Sequence, residues 1–258
     1  MVDQKILNSV NDELREKIIK CFSMTLFVGA GVSVGSGIPT FRGKGIGKFF
    51  QEQNPIYLLS TQGFLMFPKL AWQYSCYIYN LVKDATPNLA HKALVAWQNQ
   101  ATKRRVVKVN MLTTNYDGLI QKAGGEVEEL HGNINNTICP NCRNKKLMSE
   151  INQENLPPQC ESCNSILLPD IVLLDSFIKQ SSYDISSQVA RGCSIYIAIG
   201  TSGVNSHSFG LMKTVNLRPN TTLIEINPRP SHLTKDMDYV IRGNAEDILP
   251  QFGYGNIN

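Results

Sequence analysis

Two pairs of cysteines are the clearest candidates for chemistry in this 258-residue chain, which has seven cysteines in all. Cys139 and Cys142 form one Cys-x-x-Cys pair, Cys160 and Cys163 form the other, and residues 143–159 lie between them. This spacing is typical of zinc sites, in which each pair forms a knuckle that places two thiolates on one ion. Two disulfides or unpaired structural cysteines are the alternatives. Because four thiolates complete a tetrahedron, a single Zn²⁺ ion here would be structural and not catalytic.

A glycine-rich stretch offers a second kind of chemistry. The run 24–28 predicts a short buried strand, and glycines follow it at positions 29, 31, 35 and 37. Glycines this dense after a strand let the backbone turn sharply and present N–H groups to a diphosphate. An ordinary turn has the same composition, so the stretch favours a nucleotide only in combination with other segments.

Three polar side chains could carry a reaction beside such a nucleotide. His131 follows a predicted strand and precedes Gly132, and it is the one histidine of four with this placement. A histidine has an ordinary pKa of about 6.5, so it can accept a proton at neutral pH. Asn115 and Asp117 follow another predicted strand, and their amide and carboxylate groups can bind hydroxyl and carboxamide groups. Asp117 could instead be a helix N-cap.

These residues need a sheet to bring them together. Apolar runs predict strands at 24–28, 106–112, 127–130, 166–174, 194–199, 223–226 and 239–241, the last of them a short edge strand. The runs 166–174 and 194–199 are uninterrupted, as in buried parallel strands. Apolar stripes predict helices at 4–22, 87–98, 119–123 and 246–251. Because ligands bind at the carboxyl ends of parallel strands, the loops after these strands should meet at one edge. Those loops lie at positions 29, 113, 200, 227 and 243.

We therefore predict an α/β fold with a doubly wound, Rossmann-like parallel sheet and a smaller lobe. The domain with the sheet comprises residues 1–45, 86–137 and 167–258. The smaller lobe comprises a helical insertion, 46–85, and the zinc-binding module, 138–166. The insertion is rich in aromatic residues, which either form a small core or line an apolar substrate channel.

Composition indicates which partners and which cellular compartment to expect for this protein. The formal net charge is +4 and 18% of the residues are charged, so direct nucleic-acid binding is not expected. No apolar run approaches the roughly 18 residues that a membrane span needs, so no membrane association is expected. The N-terminus is polar and shows no targeting segment. We expect an intracellular protein, cytoplasmic rather than nuclear, in a compartment where thiols stay reduced. The pattern assigns no oligomeric state.

Seven segments, in one order along the chain, together resemble the sirtuin (Sir2) family. They are Gly29-Ala-Gly-Val-Ser33 with Ser36-Gly-Ile-Pro-Thr-Phe-Arg-Gly43, Pro87-Asn88 with His91, Thr113-Thr-Asn-Tyr-Asp-Gly-Leu119, Glu129-Leu-His-Gly132, the four cysteines, Gly200-Thr-Ser202 and Ile226-Asn227. No single segment is decisive, whereas seven segments in the family's order are specific. The resemblance covers nearly the whole chain after the first predicted helix.

The resemblance implies an NAD-dependent protein lysine deacylase (deacetylase), which transfers the acyl group to ADP-ribose and releases nicotinamide. It implies NAD as co-substrate, an acylated-lysine protein or peptide as substrate, and one structural Zn²⁺ ion. By this resemblance His131 is the general base on a ribose hydroxyl, while Asn115 and Asp117 bind the nicotinamide carboxamide and its ribose. Ser202 and Asn227 would serve the adenosine half. The cofactor-binding residues implied are Gly29, Ala30, Gly31, Ser33, Phe41, Arg42, Thr114, Asn115, Asp117, Gly200, Thr201, Ser202, Asn227 and Ala245. His91 is expected to support packing.

Some positions depart from the family's pattern. Thr114 stands where glutamine is usual and Tyr116 where isoleucine is usual, as in Sir2-like domains that hydrolyse NAD without a protein substrate. Asp175 replaces a glycine in the segment that pairs with the substrate peptide in the family, where a side chain could hinder the peptide or alter its preference. Thr40 stands where aspartate is usual.

These departures leave other functions open. NAD hydrolysis or protein mono-ADP-ribosyl transfer is the first alternative, and a catalytically quiet module that binds NAD or ADP-ribose is the second. His131 argues against the quiet module, because it retains the catalytic side chain that the resemblance implies. No arginine lies between Arg42 and Arg104, so we do not expect a specialist for acidic acyl groups.

Overall fold

The computed structural model describes residues 5–7, 12–40, 55–104, 108–204, 210–211 and 220–252, and the predicted cofactor-binding residues Phe41 and Arg42 lie outside these ranges. The strands are β1 (Lys5–Leu7), β2 (Ser23–Val28), β3 (Lys108–Thr113), β4 (Glu128–Glu129), β5 (Gly132–Ile138), β6 (Lys145–Leu147), β7 (Leu168–Ile171), β8 (Ile195–Ile199), β9 (Thr222–Ile226) and β10 (Tyr239–Ile241). The α-helices are α1 (Asp12–Lys20), α2 (Pro55–Leu58), α3 (Thr61–Met66), α4 (Pro68–Lys83), α5 (Leu89–Arg104), α6 (Leu119–Lys122), α7 (Gln180–Arg191) and α8 (Ala245–Ile248). Short 3-10 helices span Ala30–Ser36, Met148–Glu150, Thr234–Asp236 and Leu249–Phe252. In the described parts of the chain, no helix has both the length and the apolar character needed to cross a membrane.

Seven strands form one parallel sheet in the order β1-β10-β9-β8-β2-β3-β4. From β2 the chain moves to β3 and β4 on one side, and it later returns to build β8, β9 and β10 on the other. At the carboxyl end of β2, Val28 pairs with Thr113 of β3 and with Ile199 of β8. The direction of winding therefore changes between β2 and β8. Ligands of open parallel sheets bind at such a switch point, outside the carboxyl ends of the strands.

Helices cover both faces of this sheet, as the alternation of side chains along β8 shows. Ile197 packs in a cluster that includes Trp97 of α5. Tyr196 and Ala198, its two neighbours, pack in a different cluster with Ala190 of α7. Because successive strand residues face opposite sides of a sheet, the two clusters are two separate layers. The predicted doubly wound α/β fold is confirmed.

A second sheet belongs to the smaller lobe. Its three strands are antiparallel and have the order β6-β5-β7. β5 and β7 share a hydrophobic cluster with α4, which contributes Trp72 and Tyr74, and with Cys160 of the cysteine-bearing segment. The indole N–H of Trp72 donates to the carbonyl of Leu167 at 2.9 Å. The helical insertion and the cysteine-bearing segment therefore have a common core.

Three predictions about the elements are wrong. Residues 4–22 include a strand, β1, as well as helix α1. Since β1 pairs with β10, the strand 239–241 does not lie at the edge of the sheet. The run 166–174 supplies β7 of the small antiparallel sheet and not a parallel strand of the large one. In each case the apolar pattern is present, but a partner strand that is distant in sequence decides where the segment lies.

A buried ion pair connects the ends of β9 and β10. Glu225 of β9 is fully buried, and its carboxylate accepts a hydrogen bond from Arg242 Nη1 at 3.1 Å. The hydroxyls of Ser231 and Thr234 also donate to this carboxylate, the latter at 2.7 Å. Arg242 donates further to the carbonyl of Asn227 at 3.3 Å. The pair therefore fixes the loop that begins at Asn227.

Arg242→Ala should lower the free energy of unfolding by about 3 kcal/mol, because the buried carboxylate of Glu225 loses its cationic partner. Urea denaturation followed by circular dichroism measures this change. Lys20→Ala is the control: Lys20 forms an exposed pair with Glu16 at 3.3 Å, and its loss should lower the free energy by no more than about 0.5 kcal/mol. Equal effects of the two substitutions would contradict the role assigned to the buried pair.

Candidate active site and metal centre

The loops after β2 and β8 touch backbone to backbone at the switch point. The N–H of Gly29 donates to the carbonyl of Ile199 at 2.9 Å, and that of Gly31 donates to the carbonyl of Gly200 at 2.8 Å. A Cβ atom on Gly31 would lie 2.7 Å from that same Gly200 oxygen. Gly200 itself has a φ of +58°, and a Cβ atom there would lie 2.8 Å from the backbone nitrogen of Val32. Side chains are therefore excluded from this contact on both loops.

A group of buried polar side chains, which we call the polar cradle, lies beside this contact. It consists of Ser33, Asn115 and Asp117, which are 0%, 8% and 8% exposed. Ser33 Oγ donates to Asp117 Oδ2 at 2.6 Å and accepts from Asn115 Nδ2 at 3.2 Å. Asn115 Nδ2 also lies 3.2 Å from the carbonyl oxygen of Gly29, to which it donates. The cradle is therefore fastened to the glycine loop.

The cradle has one acceptor without a donor. Asn115 Oδ1 is buried and has no hydrogen-bond partner. Leaving such a group unpaired costs about 1–3 kcal/mol. A ribose hydroxyl or a carboxamide N–H from a bound nucleotide would satisfy it. Asp117 Oδ1, by contrast, accepts from the backbone N–H of Leu119 at 2.9 Å. Asp117 therefore supports the turn that leads into α6, although the N-cap of that helix is Gly118 and not Asp117. Its other oxygen belongs to the cradle.

His91 extends the cradle, although its motif led to the prediction of a packing role. It is fully buried, and its Nε2 lies 3.5 Å from Ser33 Oγ. Its Nδ1 lies 3.3 Å from the backbone nitrogen of Asn88 and 3.0 Å from Asn88 Oδ1, and the tautomer of the ring sets which of the two is its hydrogen-bond partner. Burial lowers the pKa of His91 more than the nearby Asp117 carboxylate raises it, so the ring is neutral at neutral pH. The Pro-Asn-x-x-His spacing was the signal for this contact.

His131 lies at the passage from the large sheet to the small one. It stands between β4 and β5, and its carbonyl accepts from the N–H of Val172 at 2.9 Å. The preceding residue, Leu130, donates its N–H to the carbonyl of Thr113 at 2.8 Å, which ties this strand to the one that leads to Asn115. Gly132 has a φ of +74°, and a Cβ atom there would lie 2.1 Å from a backbone oxygen. The backbone next to His131 is therefore tightly confined.

The residues predicted for the adenosine half lie on the other side of the switch point. Asn227 Nδ2 donates to the carbonyl of Thr201 at 2.7 Å, and the carbonyl of Ser202 accepts from the N–H of His232 at 3.1 Å. Ala245 is the first residue of α8. The loops after β8 and β9 therefore meet here, and Arg242, which follows β10, donates to the carbonyl of Asn227. Thr114 lies with the opposite loops, where its N–H donates to the carbonyl of Val28 at 3.1 Å.

Two departures from the family's pattern have a visible structural role. Tyr116 packs against the hydrophobic cluster of the smaller lobe, and burial raises its pKa, with smaller contributions from Tyr74 and Asp117. The Asp175 carboxylate accepts from the backbone N–H of Thr61 at 2.7 Å, at the start of α3. Both side chains are therefore engaged by the helical insertion or its core.

The four paired cysteines come together as the metal-site prediction requires. Their Sγ atoms all lie within 4.8 Å of one another. The sulfurs of Cys139 and Cys163 are 3.5 Å apart, as are those of Cys142 and Cys160. Four thiolates about 2.3 Å from a zinc ion form a tetrahedron with edges of about 3.8 Å. All four cysteines are free, so the donor set fits one structural Zn²⁺ ion and not two disulfides.

The pKa values of two of the four thiols are lowered, which favours the thiolate form that binds a cation. Hydrogen bonds from the side chain and backbone of Ser165 lower the pKa of Cys163 to about 6. A backbone hydrogen bond is the main reason that the pKa of Cys160 lies below its usual value. A backbone hydrogen bond from Asn144 favours the Cys142 thiolate, but burial and the adjacent sulfurs together raise the pKa of Cys142 to about 12. A divalent cation at the centre would offset the repulsion between the sulfurs, so that all four thiols ionise.

Known proteins resemble this chain over most of its length. The model of the Sir2 family matches residues 29–206. An NAD-dependent protein deacylase of Pyrococcus abyssi (strain GE5 / Orsay) is 32% identical over 232 residues, which cover 87% of this chain and 89% of that protein. An NAD-dependent protein deacylase of Aeropyrum pernix is 35% identical over 223 residues, or 86% of this chain and 87% of that protein. The crystal structure of a Sir2 homologue–NAD complex aligns with a TM-score of 0.86 at 30% identity and covers 95% of this chain and 94% of that one.

Cys160→Ser should abolish zinc binding, because three thiolates and a hydroxyl hold zinc far more weakly than four thiolates. Metal analysis by mass spectrometry should show about one zinc per wild-type chain and almost none in the variant. The melting temperature should also fall, since Cys160 belongs to the core shared with α4. Cys76→Ser is the matched control, because Cys76 lies in the same core but outside the quartet. A Cys160→Ser protein that stayed folded and active without zinc would refute a structural metal.

Proposed function

The chain belongs to the Sir2 family, and from this premise we propose that it is an NAD-dependent protein deacylase. The enzyme removes an acyl group from a lysine side chain of a protein, transfers the group to ADP-ribose and releases nicotinamide. One observation carries the proposal: the polar cradle lies buried at the switch point of the sheet and contains an acceptor, Asn115 Oδ1, that lacks a donor. Relatives that share about a third of this sequence have the same named activity.

The nicotinamide ribose of NAD is assigned to the polar cradle. Asn115 Oδ1 can accept from a ribose hydroxyl or from the carboxamide, and Asp117 can accept from the carboxamide N–H. The diphosphate is assigned to the loop that begins at Gly29 and Ala30, where the absence of side chains allows close approach. Ser202 and Asn227 serve the adenosine half, together with the neighbouring residues Thr201 and Ala245. Phe41, Arg42 and Thr114 complete the proposed cofactor-binding set on the basis of the sequence motif.

His131 is assigned the role of general base. Bound NAD supplies a ribose carbon from which nicotinamide can leave and to which the acyl oxygen of the modified lysine can add. The imidazole of His131 takes the proton from a ribose hydroxyl, as a neutral histidine can do near pH 7. The tie between Leu130 and Thr113 supports this role, because it holds the His131 turn beside the strand that leads to the cradle.

The acylated substrate is assigned to the side of the site formed by β7. In the described part of the small sheet, β7 is at an edge, and an edge strand can pair with an extended peptide. The chain then continues from β7 past the backbone of His131, through the bond from Val172. A peptide along this edge would therefore bring its acyl-lysine toward His131.

We also propose the domain boundaries and the location that the sequence predicts. Residues 1–45, 86–137 and 167–258 form the NAD-binding domain, and 46–85 and 138–166 form the smaller lobe, to whose sheet the flanking segments add β5 and β7. An intracellular, cytoplasmic location agrees with seven cysteines that are all free.

The activity is tested by incubating the protein with NAD, with and without an acetylated lysine peptide. Nicotinamide release should depend on the peptide, and nicotinamide and deacetylated peptide should form in equal amounts. ADP-ribose release at a comparable rate without the peptide would instead establish NAD hydrolysis, and labelling of a protein by ADP-ribose would establish mono-ADP-ribosyl transfer. Either result would overturn the deacylase proposal.

His131→Ala should lower kcat/KM for deacetylation by about 100-fold or more, which is the usual effect of removing a general base. Binding of NAD, measured by calorimetry, should change far less. His232→Ala is the matched control, because the side chain of His232 is exposed and has no assigned role. Unchanged turnover in the His131 variant would refute the assigned mechanism.

A further inference from the structure

An aspartate joins the helical insertion to the segment that follows β7. Asp175 Oδ1 accepts from the backbone N–H of Thr61 at 2.7 Å, and its Oδ2 accepts from that of Gln62 at 3.4 Å. Thr61 is the first residue of α3, and Ser60 is its N-cap, whose hydroxyl accepts from the N–H of Gly63 at 3.0 Å. Asp175 and Ser60 together therefore satisfy three of the free N–H groups that begin this helix. We call the two hydrogen bonds that Asp175 accepts the Asp175 clasp.

The clasp suits an ionised carboxylate. Burial alone would raise the pKa of Asp175, but the hydrogen bonds from Thr61 and Gln62 together lower it below its usual value. A negative charge at the start of a helix is also favoured by the helix dipole. The clasp should therefore be intact throughout the neutral pH range.

The clasp lies at one end of a short segment whose other end reaches the active site. The N–H of Val172 donates to the carbonyl of His131 at 2.9 Å, and the N–H of Leu174 donates to the carbonyl of Leu59 at 2.9 Å. The hydroxyls of Ser176 and Thr61 are 3.3 Å apart. Residues 172–176 are thus held by His131 at one end and by the start of α3 at the other.

We propose that Asp175 is a positioning residue for the acylated substrate: its clasp holds residues 172–176 against α3 and so keeps the peptide-binding edge in shape. The inference rests on the proposed function, because it assumes that the substrate approaches along this edge. A glycine at position 175 has no side chain with which to make the clasp. Without the clasp, residues 172–176 are less ordered in the free enzyme. The entropy lost when the peptide orders them then weakens peptide binding. The polar cradle is fastened elsewhere, so NAD binding should not depend on the clasp.

The test compares the effect of each substitution on KM for the peptide with its effect on KM for NAD. Asp175→Ala and Asp175→Gly should each raise KM for the acetylated peptide by about five- to tenfold, while kcat and KM for NAD stay within about twofold. Asp184→Ala is the matched control, since Asp184 is an exposed carboxylate on α7 that accepts a side-chain bond from Gln180 at 2.8 Å. It should leave all three constants unchanged.

A second variant breaks the clasp from the other side. Thr61→Pro removes the N–H that makes the shorter of the two bonds while Asp175 stays in place, and proline is favoured at the first position of a helix. Ser60 has φ −108° and ψ 161°, the conformation that suits a residue before proline. Thr61→Pro should raise the peptide KM as Asp175→Ala does, and the double variant should add little further. Thr61→Val removes only the hydroxyl and should have a smaller effect.

The outcomes distinguish the two claims. Peptide-dependent turnover of the wild type, with a raised peptide KM in both the Asp175 and the Thr61→Pro variants, supports the clasp. Peptide-dependent turnover with an unchanged peptide KM in Thr61→Pro and Asp175→Ala overturns the clasp and leaves the deacylase proposal intact. Wild-type NAD consumption that is indifferent to the peptide overturns both. If the melting temperature of Asp175→Ala is well below that of the wild type, the peptide KM of Thr61→Pro decides whether the clasp acts on the substrate. That variant keeps both the start of α3 and the carboxylate of Asp175.

Discussion

The contact between the loop at Gly29–Gly31 and Gly200 is the constraint on which the rest of the site depends. These loops follow the two neighbouring strands between which the winding direction changes, and their backbones approach so closely that a Cβ on Gly31 would lie 2.7 Å from an oxygen of Gly200. Because no side chain intervenes, Asn115 can donate to the carbonyl of Gly29 and to the hydroxyl of Ser33 at this contact. The sequence resembles a phosphate-binding turn, but the structure shows that its glycines are also required for loop-on-loop packing.

The polar cradle places a network of hydrogen-bonded side chains beside the contact between the two glycine loops. Ser33 donates to Asp117, accepts from Asn115 and lies 3.5 Å from Nε2 of His91, whose ring is kept neutral by burial. A network in which nearly every donor and acceptor is satisfied holds each group in one orientation. The exception is Asn115 Oδ1, to which the proposed ribose or carboxamide would supply the missing donor. Asn115 and Asp117 of the cradle and His131 follow the neighbouring strands β3 and β4, as their proposed action on one ribose requires.

Patterns among neighbouring residues were sufficient to predict part of the fold and of the site. The other features depend on contacts between segments that are distant in sequence. The cysteine quartet and the strand before Gly29 are encoded by neighbouring residues, so they could be identified from spacing alone. The placement of β7 could not be, because an apolar run does not reveal whether its partner strand is parallel or antiparallel. Nor could the role of Asp175 be read from its sequence neighbours, since its hydrogen-bond donors lie at Thr61 and Gln62. His91 had a recognisable motif, but only its burial against Ser33 shows that it belongs to the site.

The most direct test of the account is the affinity for NAD after a methyl group is placed in the loop contact. Titration calorimetry of Gly31→Ala should show NAD binding at least about tenfold weaker than in the wild type, because the two loops must separate to admit the Cβ atom. Gly192→Ala, at a position where the nearest atom would be 3.4 Å away, should bind NAD normally. Wild-type affinity in Gly31→Ala would contradict the claim that this contact builds the NAD site.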